Sequence, residues 1–396
     1  MKSIIDSIKT KGKDIGRTYS FYSSEKKNVD EETNDTFDYD DKKRSKAKKG
    51  VFAESDATRK PIVDIERDAD IKPLFTHFLD GTRHVYKVDD IEIDGRVYPV
   101  HAGQLVVGCC VREDREHFKK CLMKRKIVLA LPKVFDLDGG SNSEEYLRLF
   151  VDYVNEELKK NEYVKQAALS LDNILLYDTQ VDAIEERSSR EAYKSRATAV
   201  IQAEMTDQEQ IMVEELCKNN MLDDSNFLIK DGSLEYNPRF SNLPEGKRIL
   251  ALDNYKYVVG VSKSFDPELL RSYDDKKLSK TIAELKPFQR TKAYRYTQGT
   301  ETPDFAVWYL RLRSEKNYSR ETNFSDVVKC EMVIQEKGEV ISTDLIDLIS
   351  KNIINEAYPV CYGKDKRWAN HLYPIHLTET FVKSQFINSD ILLKLF

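Results

Sequence analysis

Two short segments constrain this chain more than any others. Phe227-Leu228-Ile229 runs into Lys230-Asp231-Gly232-Ser233, and Phe78-Leu79 runs into Asp80-Gly81-Thr82. In each, β-prone apolar residues lead to Asp-Gly and then to a hydroxyl residue, the pattern of a buried strand that turns sharply at its carboxyl end. The two corners lie 151 positions apart (231 − 80), so they meet only if their strands share a sheet. Two carboxylates brought together repel one another unless a cation lies between them, which makes a metal site the functional reading of the pair. Taken singly, each segment is equally well a turn with a solvated aspartate.

At 396 residues the chain holds one large or two ordinary domains. A net charge of −5 makes no global case for nucleic acid, so such a partner requires a local basic groove. No apolar run approaches the roughly 18 residues of a membrane span, and Met1-Lys2-Ser3-Ile4-Ile5-Asp6 has no hydrophobic signal core. The expected location is therefore the cytoplasm. The six cysteines include no C-x-x-C pair and no accompanying histidine cluster, so reduced thiols are expected and a structural zinc site is not.

Residues 1–55 alternate acidic and basic blocks with few apolar residues and are expected to be a flexible charged arm, with a short amphipathic helix at Ile4, Ile5 and Ile8. Residues 60–396 read as the globular domain. Phe75 to Leu79 is expected as a strand ending at Asp80, followed by a meander through an Asp94-Gly95 hairpin turn. Residues 112–195 alternate an apolar strand, Ile127 to Leu131, with expected helices at Leu147 to Lys159 and Asp182 to Tyr193, and read as a helical insertion. A long helix is expected from Ser189 to Lys218, with Val200, Ile201, Met205, Met212, Val213 and Leu216 on its inward stripe. Glu209 falls within that stripe, where an unpaired carboxylate is expensive; Glu204 is its rival. Lys263, at the end of Val258-Val259-Gly260-Val261-Ser262, is placed to neutralise phosphate. Arg290, Lys292 and Arg295 interleave with Phe288, Tyr294 and Tyr296. That mixture suits single-stranded nucleic acid or, equally, an amphipathic surface strand; Arg290, Lys292, Tyr294 and Arg295 are the candidate contacts.

Together these pieces resemble the NurA nuclease family, the partners of HerA-type hexameric DNA-translocating ATPases. The matching segments are Leu79-Asp80-Gly81-Thr82, Glu209, Leu228 to Leu234, Val258 to Lys263, Trp308-Tyr309-Leu310-Arg311 and Leu372-Tyr373-Pro374-Ile375-His376-Leu377, in order, with 112–195 matching poorly. The resemblance implies an α/β fold, an RNase H-like mixed sheet flanked by helices, here with a helical insertion. It implies a manganese- or magnesium-dependent deoxyribonuclease, holding two ions, that acts on DNA ends or single strands. It also implies a homodimer docked on a HerA-type ring, in DNA end processing or in defence against phage. Asp80 and Asp231 match the metal-binding aspartates, Glu209 the helix carboxylate and Tyr373 the tyrosine of the Tyr-Pro motif. The family's distal histidine has no counterpart, because Phe381 and Val382 stand there; either His376 takes its role or the role is absent. The competing expectation is a nuclease-like scaffold that binds DNA and regulates the ring without cutting.

Overall fold

The computed structural model describes residues 3–396 apart from 15–18, 23–25, 30–50, 57, 59, 115–116, 136–143, 181–188, 235–250, 271–276, 298–302, 314–322, 337 and 362–367. The strands are β1 (Ser20–Tyr22), β2 (Lys27–Asn28), β3 (Val51–Phe52), β4 (Ile62–Asp64), β5 (Phe75–Ile93), β6 (Arg96–Arg112) and β7 (Phe118–Pro132). They continue with β8 (Asn173–Tyr177), β9 (Phe227–Asp231), β10 (Val258–Ser262), β11 (Gln289–Thr291), β12 (Tyr294–Thr297), β13 (Asp304–Arg311) and β14 (Val327–Val333). The helices used below are α1 (Ile4–Asp14), α2 (Glu144–Leu158), α3 (Glu162–Gln166), α4 (Ser189–Lys218), α5 (Ser279–Ala283), α6 (Thr343–Glu356) and α7 (Tyr373–Ser384).

All the strands belong to one mixed sheet, whose main path is β3-β12-β13-β14-β10-β9-β5-β6-β7-β8. At its centre β5, β6 and β7 form an antiparallel meander, joined to β9 and β10 by the parallel pairings β5–β9 and β9–β10. The Asp94-Gly95 turn between β5 and β6 has φ of 50° and 75°, the left-handed pair that a two-residue hairpin of type I′ requires.

Alternation of side chains divides the sheet into two apolar layers. Leu79, Leu228 and Val258 pack on the α4 side with Ile201, Met205 and Met212. Phe78, Ile229, Val259 and Val261 pack on the opposite side with Ile349, Ile353 and Ile375 of α6 and α7. Trp308 is fully buried in that second layer and donates its indole N–H to Ser350 Oγ at 3.1 Å.

Three expectations change. The strand through Phe75 does not end at Asp80: Asp80 and Gly81 lie inside β5, paired with Gly108 and Val107 of β6. Residues 112–195 are not mainly a helical insertion, because β7 pairs with β6 along its length and β8 extends the sheet in parallel, with α2 and α3 beside them. The described parts of residues 1–55 are attached to the body rather than free. Ile4, Ile5 and Ile8 of α1 enter the core, and β1, β2 and β3 pair with β5 or β12. Burying each isoleucine contributes about 1.5–3 kcal/mol, enough to outweigh the charged composition around them. Residues 30–50, including the lysine-rich run, lie outside the described residues.

Candidate active site

The parallel register sets Leu79 opposite Lys230, so the next residues, Asp80 and Asp231, occupy neighbouring places on strands about 4.8 Å apart. Both fall on the α7 face by alternation. Strand β9 stops at Asp231 and Gly232 leaves it with φ of 89°, so the second Asp-Gly is a true corner. That corner is held from below by buried Glu331 of β14, which accepts hydrogen bonds from Ser233 Oγ (2.8 Å) and Leu234 N–H (2.6 Å).

Around the two aspartates the charges are unevenly matched. Lys263 Nζ lies 2.8 Å from Asp231 and 3.5 Å from Glu379 of α7. Burial disfavours its charge, but Asp231 and Glu379 outweigh this and hold the ammonium protonated. Burial also opposes the charge of Glu379, yet Lys263 and Lys383 pull its pKa down to about 2. Asp80 has no such partner. It is 6 % exposed, and its carboxylate makes no hydrogen bond or ion pair among the described residues. Burial, then the charge of Asp231, pushes its pKa well up, only partly opposed by Lys263.

Glu209 lies on the opposite, α4 face of the sheet, and among the described residues its ligand atoms do not gather with those of Asp80 and Asp231 as a three-residue group. It is 4 % exposed on α4 and pairs with Lys230 Nζ at 2.8 Å. Burial raises its pKa against the pull of Lys230, while Glu209 in turn keeps Lys230 protonated. The carboxylate lies over Gly81: a Cβ there would sit 2.6 Å from Glu209 Oε1. This explains the glycine after Asp80, whose use is close approach rather than a turn. Glu204, the rival, points elsewhere, into an ion pair with Lys126 at 2.8 Å and a hydrogen bond from Gln208.

The carboxyl-terminal motif is divided by the helix. At about 100° per residue, Tyr373 lies about 120° around α7 from Glu379. Tyr373 lines a separate cleft of about 490 Å³ with Arg112, Asn352, Glu356 and Tyr358. His376 and Glu379 gather with His371, their ligand atoms all within 4.8 Å of one another. Phe381 and Val382 pack against Gly108 opposite Asp80.

The basic-aromatic run is not a surface for nucleic acid. Arg290 and Lys292 are fully buried, Arg290 pairing with Glu54 (2.8 Å) and Asp347 (2.6 Å), Lys292 with Glu54 (3.0 Å) and Asp56 (2.7 Å). Tyr294 is buried and Arg295 pairs with Asp304 at 2.8 Å. These residues tie β11 and β12 to the segment around Glu54, so their charges are already spent inside the protein.

Sequence reasoning missed Glu379, His371, Lys230 and Glu331. Glu379 had the same signal as Glu209: it lies four after Ile375 and three before Val382, both buried, and so at the edge of the inward stripe of α7.

No family model and no curated protein matches the chain. Among solved structures, the fold is similar to that of the NurA nuclease from Sulfolobus solfataricus. The two are 9 % identical, the match covers 85 % of each chain, and the TM-score is 0.40. No helix among the described residues is long and apolar enough to cross a membrane.

Proposed function

We propose that the protein is a divalent-metal-dependent deoxyribonuclease of the NurA type, cutting phosphodiester bonds at DNA ends or in single strands. The observation that carries this reading is Asp80, a buried carboxylate left without a partner beside Asp231. An orphan charge there weakens the fold unless a cation completes it. Asp80 and Asp231 would hold the ions, an all-oxygen donor pair that favours manganese or magnesium over zinc. Glu209, held by Lys230 on the opposite face over Gly81, would join them through a side-chain rearrangement. Two ions held there would activate water and neutralise both the attacking and leaving oxygens of the phosphate. The chain's own residues do the rest. Lys263, anchored by Asp231, neutralises substrate phosphate, and Lys230 keeps the Glu209 carboxylate aimed. His376, on the open side of α7, donates a hydrogen bond to phosphate or leaving group.

The central strand arrangement supports an RNase H-like core: three antiparallel strands, then two parallel ones carrying the second aspartate. A HerA-type ATPase partner, a homodimer and a place in end processing or phage defence belong to the same proposal, on the strength of the motifs alone.

The test is cleavage of end-labelled linear DNA with manganese or with chelator, comparing the native protein and Asp231→Asn. Manganese-dependent cutting that the substitution removes is the expected result. Cutting that persists in Asp231→Asn overturns the site. DNA binding without cutting, even after the ATPase partner is added, makes the regulatory scaffold the better reading.

A further inference from the structure

His371, His376 and Glu379 belong to the neighbourhood of the carboxylate centre but differ from it in chemistry. His371 is fixed by its backbone: its N–H donates to Trp368 O at 3.2 Å, and its carbonyl accepts from buried Arg313 at 3.1 Å. His376 and Glu379 sit three residues apart at the start of α7, where they share a face. The two imidazoles meet edge to face with centroids 5.8 Å apart, and His371 Nδ1 lies 3.9 Å from Glu379 Oε2. That oxygen is buried and accepts no hydrogen bond.

We propose that these three residues form a second cation site, one that takes a nitrogen-preferring divalent ion of the zinc class. Its three ligand atoms lie within 4.8 Å of one another. A tetrahedral ion bound at about 2.0–2.2 Å holds its ligands about 3.5 Å apart, so side-chain rotation of about 1 Å closes the set. Two imidazoles and one carboxylate suit zinc or cobalt, whereas the oxygen-only group at Asp80 and Asp231 suits manganese or magnesium. Three protein ligands also leave a fourth position open. The charges facing the site are Lys383, 2.6 Å from Glu379, and Lys263, 3.5 Å away. Lys383 is 56 % exposed and swings clear; Lys263 keeps Asp231 as its partner at 2.8 Å. An ion bound to Glu379 therefore releases Lys263 from its second carboxylate and leaves it to Asp231 and to incoming phosphate. The inference goes beyond the nuclease reading and does not rest on it, since the site is defined without DNA.

The experiment is zinc and cobalt binding to the full chain by titration calorimetry and visible absorption, without DNA. The native protein is expected to bind one ion with a tetrahedral cobalt spectrum. His376→Ala and His371→Ala should each weaken zinc about a hundredfold, about 2.7 kcal/mol at 1.36 kcal/mol per tenfold. Asp80→Asn, which leaves the Lys263–Asp231 pair in place, should leave zinc binding intact, and Cys121→Ser controls for the thiols. Far-ultraviolet circular dichroism identifies any variant that fails to fold; for such a variant His376→Gln is the substitute. Zinc affinity unchanged by both histidine substitutions overturns the proposal. So does zinc binding lost in Asp80→Asn or in Cys121→Ser, because the ion then lies elsewhere.

Discussion

Two clusters of buried charge lie in this protein, and they are built in opposite ways. In the first, Arg290 and Lys292 converge on Glu54, with Asp347 and Asp56 completing the set, and each of these charges faces an opposite one within about 3 Å. In the second, Lys263, Lys230 and Lys383 face Asp231, Glu379 and Glu209, each carboxylate with an ammonium, and Asp80 is left over. The first cluster is complete as it stands and serves the fold. The second leaves the buried Asp80 carboxylate without a partner, a place that a cation from solution could fill. Burial and charge are common to both; the difference lies in whether the pairing closes.

The largest effect should separate the two clusters by activity. Asp80→Asn is expected to lower manganese-dependent DNA cleavage by about a thousandfold or more, since it removes an ion ligand used in the reaction. Arg295→Gln, whose guanidinium among the described residues bonds Asp304 and the Glu339 carbonyl, should change cleavage and DNA affinity less than about twofold. Gel-shift and cleavage assays on the same preparations check both, and a DNA-binding loss in Arg295→Gln would restore the basic-aromatic run as a contact surface.

Stability should order the clusters the other way. Glu54→Gln leaves Arg290 and Lys292 short of a buried counter-charge and is expected to destabilise by about 3–5 kcal/mol. Asp80→Asn removes an orphan and should stabilise the metal-free protein by about 1 kcal/mol. Urea unfolding with chelator present measures both; equal destabilisation by the two changes would erase the distinction.

Glycines sharpen the comparison at smaller scale. Gly81→Ala sets a methyl 2.6 Å from Glu209 Oε1, so the carboxylate must move and cleavage should fall about tenfold or more. Gly95→Ala meets no atom within 4 Å but must keep φ of 75°, which costs about 1 kcal/mol of stability and should leave activity unchanged. Cleavage rates and thermal midpoints of the two variants tell displacement from backbone strain.

Much of the site was legible because its logic is local. Apolar residues followed by Asp-Gly marked Asp80 and Asp231, whereas helical spacing admitted both Glu209 and Glu204, which the structure separates by the Lys126 pair of Glu204. The function of Gly81 was misread: a turn and a close approach leave the same residue in the sequence, and only the position of Glu209 distinguishes them. The Arg290–Tyr296 run failed for a similar reason. Alternating basic and aromatic residues look the same whether the cations face solvent or Glu54, and Glu54 lies 236 positions away (290 − 54) within a stretch whose composition pointed to an arm. Isoleucines at 4, 5 and 8 contradicted that composition, and their burial was the stronger indicator.

A pH series tests the orphan itself. A carboxyl whose pKa is raised by folding binds its proton more tightly in the native state than in the unfolded one. Native Asp80 therefore contributes most at acidic pH, and metal-free stability should fall as pH rises from about 4 through the raised value. The slope is at most about 1.4 kcal/mol per pH unit for one proton. Asp80→Asn should flatten that part of the curve, so the difference between the two proteins, measured by urea midpoints with chelator across pH 4 to 7, isolates this one group. Manganese binds only the ionised form, so its stabilising effect should grow with pH over the same window and be absent in the variant. A difference curve that stays flat would mean that Asp80 is ionised at no penalty in the metal-free protein. The contrast with the closed cluster at Glu54 would then lose its basis.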